Sequence, residues 1–236
     1  MNSRLALTVA ALLWMSPALA EFSGKGELGV IFARGNSDTE SANAQLDLVY
    51  NIERWTNEFN ARGIYARDSG DTNASRFVLA NKLDYKLSER DYVLGALRYD
   101  RDRFSNFRFQ ATASVGYGRR LIVEENQRLK VEIGPGFRRS EIRDTGETES
   151  EAILRGFADY WRDLTETTRL TNRLLVESST DNTFVENATG LSVAINSRVS
   201  MKAGFTVRHN TDVEPGRKKT DTLTTLNLVY NFRPDP

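Results

Sequence analysis

Ala42-Asn43-Ala44-Gln45-Leu46-Asp47-Leu48-Val49-Tyr50-Asn51 alternates apolar and polar side chains, with Val49 the one exception. Side chains of an extended chain point to opposite faces in turn, so this stretch makes a strand with one greasy face and one wet face. The pattern recurs along the chain. Phe77, Leu79, Leu83, Tyr85 and Leu87 alternate with Arg76, Lys82, Asp84 and Lys86, and Phe109, Ala111, Ala113 and Val115 with Arg108, Gln110, Thr112 and Ser114. Leu129, Val131 and Ile133 alternate with Lys130 and Glu132, Met201, Ala203 and Phe205 with Lys202 and Thr206, and Leu226, Leu228, Tyr230 and Phe232 with Asn227 and Asn231. About twelve such runs begin near residues 24, 40, 55, 75, 91, 107, 127, 149, 167, 184, 197 and 221. Each is close to the ~10 residues of a tilted membrane-spanning strand, and an even number returns both termini to one side. The phase is ambiguous at Leu94 and Phe157, where both faces carry apolar residues. The pattern predicts an all-β fold over residues 21–236, a transmembrane antiparallel up-and-down β-barrel.

Arg4, the apolar run Leu5 to Met15 and the small-residue site Ala18-Leu19-Ala20 have the form of a cleavable secretory signal peptide over residues 1–20. Export to the outer membrane of a Gram-negative cell follows as the expected location. The chain has no cysteine, which removes disulfides, thiolate metal sites and cysteine nucleophiles. Its 32 basic and 32 acidic residues balance, with no basic run to mark a nucleic-acid partner. A mean hydropathy of −0.49 excludes a helical membrane protein but suits a barrel with one polar face.

The connections alternate. Asn51 to Arg54, Ser88 to Arg90, Glu124 to Asn126, Leu164 to Glu166 and Asn196-Ser197 are short turns, expected at the periplasmic side. Asp68 to Asn73, Arg143 to Glu147 and Thr211 to Lys219 are longer and rich in turn formers. Tyr50, Trp55, Tyr85, Tyr92, Tyr117, Tyr160, Trp161 and Tyr230 fall near the short-turn ends, and Phe32, Tyr65, Phe77, Tyr99, Phe107 and Phe137 near the other ends. Two such rings mark the two membrane interfaces.

Few stretches carry catalytic chemistry. Gly24-Lys25-Gly26-Glu27-Leu28-Gly29 matches a dinucleotide fingerprint, but that motif needs a strand before it and a helix after it. Here an alternating strand runs through it, so the glycines read as close-packed positions at the start of the first strand. His209 is the only histidine, at the outer end of a strand, with no recognisable nucleophile pair. Asp68, Asp71 and Asn73, or Asp144, Glu147 and Glu149, offer carboxylates without EF-hand spacing and read as solvated loops. No catalytic residue, cofactor or metal ligand is assigned, and the chain is not read as an enzyme. Pro135, between Gly134 and Gly136 in mid-strand, lacks a ladder donor and calls for a bulge or a kink.

If the apolar face meets lipid, the other face lines a lumen. That puts Asp47, Glu58, Arg62, Lys82, Asp84, Arg98, Asp100, Arg108, Lys130, Glu132, Arg138, Arg155, Asp159, Arg173, Glu177, Lys202 and Arg208 inside. The mixed signs suit either a narrow water-filled channel or a lumen plugged by cross-barrel salt bridges.

Gly26-Glu27-Leu28-Gly29 followed by Arg34-Gly35-Asn36-Ser37-Asp38-Thr39 resembles the hallmark of the YdiY-like family, with softer similarity at Tyr99 to Phe104 and Gly134 to Arg138. These are bacterial outer-membrane proteins grouped as a domain of unknown function and labelled salt-induced. The resemblance implies an outer-membrane barrel with a link to salt or acid stress, and it brings no catalytic residues. Its partners are outer-membrane lipid, lipopolysaccharide and, during assembly, the barrel-insertion machinery. Phe232 has the place of the terminal aromatic that signals insertion, although Arg233 to Pro236 follow it. Three functions stay open: a small passive channel or stress-related envelope protein, a closed structural or interaction barrel, and a lipid hydrolase built on His209.

Overall fold

The structure, a computed structural model, describes residues 21–33, 39–68, 71–103, 105–213 and 218–233. The leader, Arg34 to Asp38, Ser69-Gly70, Phe104, Pro215-Gly216 and the tail after Arg233 lie outside the described residues.

The alternating runs fold into β1 (Glu21–Ala33), β2 (Thr39–Ile52), β3 (Trp55–Asp68), β4 (Asp71–Lys86), β5 (Asp91–Asp102), β6 (Phe107–Glu124), β7 (Gln127–Ile142), β8 (Thr148–Asp163), β9 (Thr168–Ser178), β10 (Thr183–Ala194), β11 (Val199–Asn210) and β12 (Thr220–Arg233). Each strand pairs antiparallel with its sequence neighbours, and β1 pairs with β12, so the described strands close a ring. Closure leaves no unpaired edge, which a sheet crossing a bilayer requires. The longest strand is β6 with 18 residues, β4, β7 and β8 have 16 each, and β9 is the shortest with 11. One expected loop shrinks. Asp68 to Asn73 is mostly strand, because β3 runs through Asp68 and β4 starts at Asp71.

The two faces sort by polarity. Leu28, Leu97, Val115, Ile133, Leu154, Leu226 and Leu228 are exposed on the outside, while Lys82, Asp84, Asp100, Glu132, Arg138, Glu177 and Glu186 are buried. A lysine or arginine turned outward at mid-bilayer costs about 2–4 kcal/mol, so the lipid fixes the phase of each strand. Polar outward side chains satisfy one another. Asn57 and Asn81 exchange amide hydrogen bonds between β3 and β4 at 3.3 and 3.1 Å. Asn172 and Asn187 do the same between β9 and β10 at 3.1 and 3.2 Å, and Asn172 also donates to Thr189 at 2.8 Å.

The ambiguous phases resolve inward. Leu94 is buried, and Phe157 lies beneath the Arg155 guanidinium. Two aromatics leave the interfacial rings as well. Tyr92 is wholly buried inside the barrel, and Trp161 faces inward against Arg169, whose guanidinium sits 4.1 Å from the ring centroid. Parity decides this, since Tyr92 shares a face with Leu94 and Asp100, and Trp161 with Ile153 and Asp159. Trp55, Tyr65, Phe77, Tyr99, Tyr117, Phe137 and Tyr230 stay on the exposed outer face.

Two glycine arrangements shape the wall. At the seam, Gly24 and Gly26 lie against Phe232, whose ring atoms would be 3.1 and 3.4 Å from a Cβ at either position. At Pro135 the register does not shift. Ser114 pairs with Gly136 and Tyr117 with Ile133, so no residue is inserted and the expected irregularity is a local break in the ladder. There the strands nearly touch: a Cβ on Gly134 would lie 2.0 Å from the Val115 carbonyl oxygen. Backbone cannot yield as a flexible side chain can. Gly134→Ala is therefore expected to destabilise by ~3 kcal/mol or more and to cut the yield of refolded barrel. Gly156→Ala, with nothing within 4 Å, serves as the neutral control. The gel shift between heated and unheated samples measures both.

Candidate functional site

An eight-stranded barrel is just wide enough for side chains to fill, so twelve strands leave interior room for long side chains, water or solutes. Here lysines, arginines and carboxylates from many strands reach into that space and form two layers.

The layer nearer the short turns centres on Glu132. Its carboxylate accepts from Lys82 Nζ at 2.6 Å, from the Tyr92 hydroxyl at 2.9 Å and from Arg155 at 2.9 Å. Lys82 also contacts Asp84 at 3.1 Å. Lys130 spans from β7 to Glu58 on β3 at 2.8 Å, and Arg173 lies 3.4 Å from Asp159 and 3.8 Å from Asp47. On the β1 side, Lys202 donates to Glu27 at 2.8 Å, with Lys25 3.5 Å from the same carboxylate. Gly118 makes room for Tyr92, since a Cβ there would lie 2.2 Å from the ring.

The layer nearer the other end centres on Glu186 of β10. Its two oxygens accept from Arg62 and Arg208, both at 2.9 Å, and Arg76 lies 3.9 Å away. Arg62 stands on β3 and Arg76 on β4, across the barrel from β10. Arg76 also makes a two-pronged ion pair with Asp100, which Arg98 contacts at 2.7 Å. Glu177 sits between Arg98 at 3.8 Å and the buried Arg138 at 3.9 Å, and Arg138 donates to Glu151 at 2.7 Å.

Of the side chains read as interior, Arg108 stands apart. A register shift between Phe107 and Phe109 carries it to the rim, where it is 54 % exposed and pairs with Glu141 at 2.6 Å. Lys25, Glu27, Arg76, Glu151, Arg169 and Glu186 belong to the interior, although the lumen reading omitted them. Arg76 shares parity with Lys82 and Asp84, so alternation alone places it. Glu186 shares its face with the buried Phe184, which hides the contrast between the faces of β10.

Cavities remain between the described side chains. One, of about 250 Å³, is lined by β8–β12 and β1–β4, and its lining extends from Trp161 and Arg169 to Arg208 and Leu223. Another, of about 180 Å³, lies among Glu58, Lys82, Arg98, Arg155 and Glu177. Arg62, Asp159 and Arg173 border both.

The remaining candidates gather less. The His209 Nδ1 lies 2.9 Å from the Thr220 hydroxyl across β11 and β12. Among the described residues, no carboxylate or amide hydrogen-bonds this imidazole to orient it as a catalytic base. Asp144, Glu147 and Glu149 are exposed around a turn at Gly146, and the described residues hold no group of three or more potential metal ligands. The side chains of Asp68, Asp71 and Asn73 lie outside the described residues.

A closed ring of twelve antiparallel strands, apolar outside and ionic inside, defines a transmembrane β-barrel of the outer-membrane type. Residues 26–232 match the family described as "Protein of unknown function, DUF481", and the chain belongs to that family. It is 25% identical over 221 residues to the "Uncharacterized protein YdiY" of Escherichia coli (strain K12), covering 92% of this chain and 86% of that protein. Among solved structures, the fold is similar to an outer membrane channel from Pseudomonas putida F1. That match has a TM-score of 0.53 and 12% identity, and covers 92% of this chain and 97% of the other. The NanC porin also matches, with a TM-score of 0.50 and 10% identity, covering 89% and 97%.

The Tyr92–Gly118 contact yields a thermodynamic test. Gly118→Ala is expected to cost about 1–3 kcal/mol by overpacking against the ring. In a Tyr92→Ala background the same change costs little, giving a coupling of roughly 1–2 kcal/mol in a double-mutant cycle measured by urea unfolding in detergent. Additive losses would mean that the ring and the glycine do not constrain each other.

Proposed function

We propose that the chain is exported, spans the outer membrane amid lipid and lipopolysaccharide, and works there as a narrow passive channel. The observation that carries this reading is the cavity of about 250 Å³, whose lining reaches from Trp161 and Arg169 near one end to Arg208 and Leu223 near the other. One water needs only ~10–15 Å³ of such space, so this cavity takes a file of waters among polar groups. The inward ion pairs narrow the path without filling it. That the structural neighbours include a porin and an outer membrane channel fits this reading, but the likeness to them is one of fold.

A second reading, the closed structural barrel, rests on the bridges from Arg62 and Arg76 across to Glu186 and from Lys130 to Glu58. Breaking one buried partner of such a set leaves an uncompensated charge and costs ~3–5 kcal/mol, so the bridges brace the wall whether or not solute passes.

Planar-bilayer recording of the refolded protein separates the two. The channel gives discrete conductance steps in wild type, which grow when Arg62→Ala and Glu186→Ala together remove the bridge. The closed barrel stays at the leak level in wild type and conducts only once the bridge is gone. Leak-level current in the wild type overturns the channel reading, whatever the variant does.

A further inference from the structure

The interior charges are unevenly placed between the two cavities. Seven lysines and arginines line the larger cavity, against two carboxylates, Glu27 and Asp159. Two of the acids that pair with these cations lie back against the wall, whereas Asp159 beside Arg173 and Asp163 beside Arg169 are 20% and 31% exposed. Glu27 and Glu186 are 1% and 6% exposed, whereas Lys25, Arg62 and Arg173 are 33%, 27% and 45% exposed. Chain length explains this. A carboxylate on a short stem stays at the strand from which it springs, and a guanidinium or ammonium on a long stem overlies it and reaches the water.

The clusters are unequal as well. Glu27 takes both Lys25 and Lys202, and Glu186 takes Arg62 and Arg208 at 2.9 Å with Arg76 further off. Asp159 is the more exposed of the two lining acids, and it is flanked by Arg173 at 3.4 Å and Lys130 at 3.6 Å. A solute in this cavity therefore meets cationic groups in front and neutralising acids behind. The smaller cavity differs: Asp47, Glu58, Asp159, Glu177 and Glu186 there face five cations, and no sign prevails.

We propose that the larger cavity is an anion path, which binds and passes small anions such as chloride and short-chain carboxylates in preference to cations. The proposal rests on the channel reading and supplies its solute class. Low-dielectric walls focus the field of fixed charges, so a cationic lining enriches anions locally and raises their rate of entry. A pore selects by the sign of the charge that lines it, and seven of the nine charged side chains around this cavity are positive. Arg169 and Arg173 on β9, with Lys25 on β1, form the approach from the short-turn end, and Arg208 and Arg62 the approach from the other.

Reversal potentials test this separately from conductance. Refolded protein is placed in a planar bilayer between unequal potassium chloride solutions, and then with chloride replaced by acetate. The expected result is a several-fold anion-to-cation permeability ratio in both salts. Arg173→Gln with Lys25→Gln should move the ratio toward unity while single-channel steps persist: Glu27 keeps Lys202, Asp159 keeps Lys130, and Asp47, which loses both of these cations, keeps hydrogen bonds from Gln45 and Asn60 at 2.7 and 2.6 Å. Arg173→Lys should retain the wild-type ratio and controls for misfolding of the double variant. A wild-type ratio at or below unity, with clear conductance steps, overturns the anion path and leaves the channel standing. The absence of any steps overturns the channel reading and the anion path with it.

Discussion

Glu186 on β10 is held from the facing wall by Arg62 and from its own side by Arg208, each at 2.9 Å. This cross-barrel tie is the interaction on which the arrangement of the interior depends. It joins strands far apart around the ring, holds Arg62 where it borders both cavities, and sets the long cationic side chains in front of the short acidic one. The ties from Lys82 to Glu132 and from Lys130 to Glu58 repeat the device one layer away. Each carboxylate comes out of water only because several donors converge on it, as burying a charge requires.

The bilayer imposes the complementary demand. Leucine, valine and phenylalanine face outward because lipid rewards them, and charges turn inward because lipid penalises them. The barrel is in this sense an inside-out globule, with a core of ion pairs and hydrogen bonds. Such a core can tolerate water beside it, which a packed apolar core does not. The same residues that brace the wall therefore also line the aqueous space, and function and stability share side chains.

The barrel was legible in the sequence because lipid on one face and charge on the other write a period of two into the chain. Ten of the twelve strands begin within two residues of the positions that alternation predicts, with β1 and β4 starting three and four residues earlier. Where the rule failed, both faces of a strand carried similar residues. Tyr92 and Trp161 have the amphipathic chemistry of interfacial residues, and only their parity against neighbours sends them inward. Glu27 was hidden within a glycine-rich motif, and Glu186 beside an inward phenylalanine. The candidate site was less legible than the fold, because alternation says which residues face inward but not which of them meet. Pairing across the barrel depends on register and tilt summed over several strands. The eccentric position of the larger cavity follows from such sums and has no local signal.

The chain has no cysteine, so a single Ala188→Cys places one thiol at the boundary of the two cavities, beside Arg173 on the neighbouring strand. The most direct test of a watery interior fringed by cations is the rate at which that thiol reacts with small anionic and cationic thiol reagents of equal size. The account predicts that both react, and that the anionic reagent is faster by a margin that shrinks as salt is raised. A thiol that reacts with neither reagent, or faster with the cationic one, would contradict it.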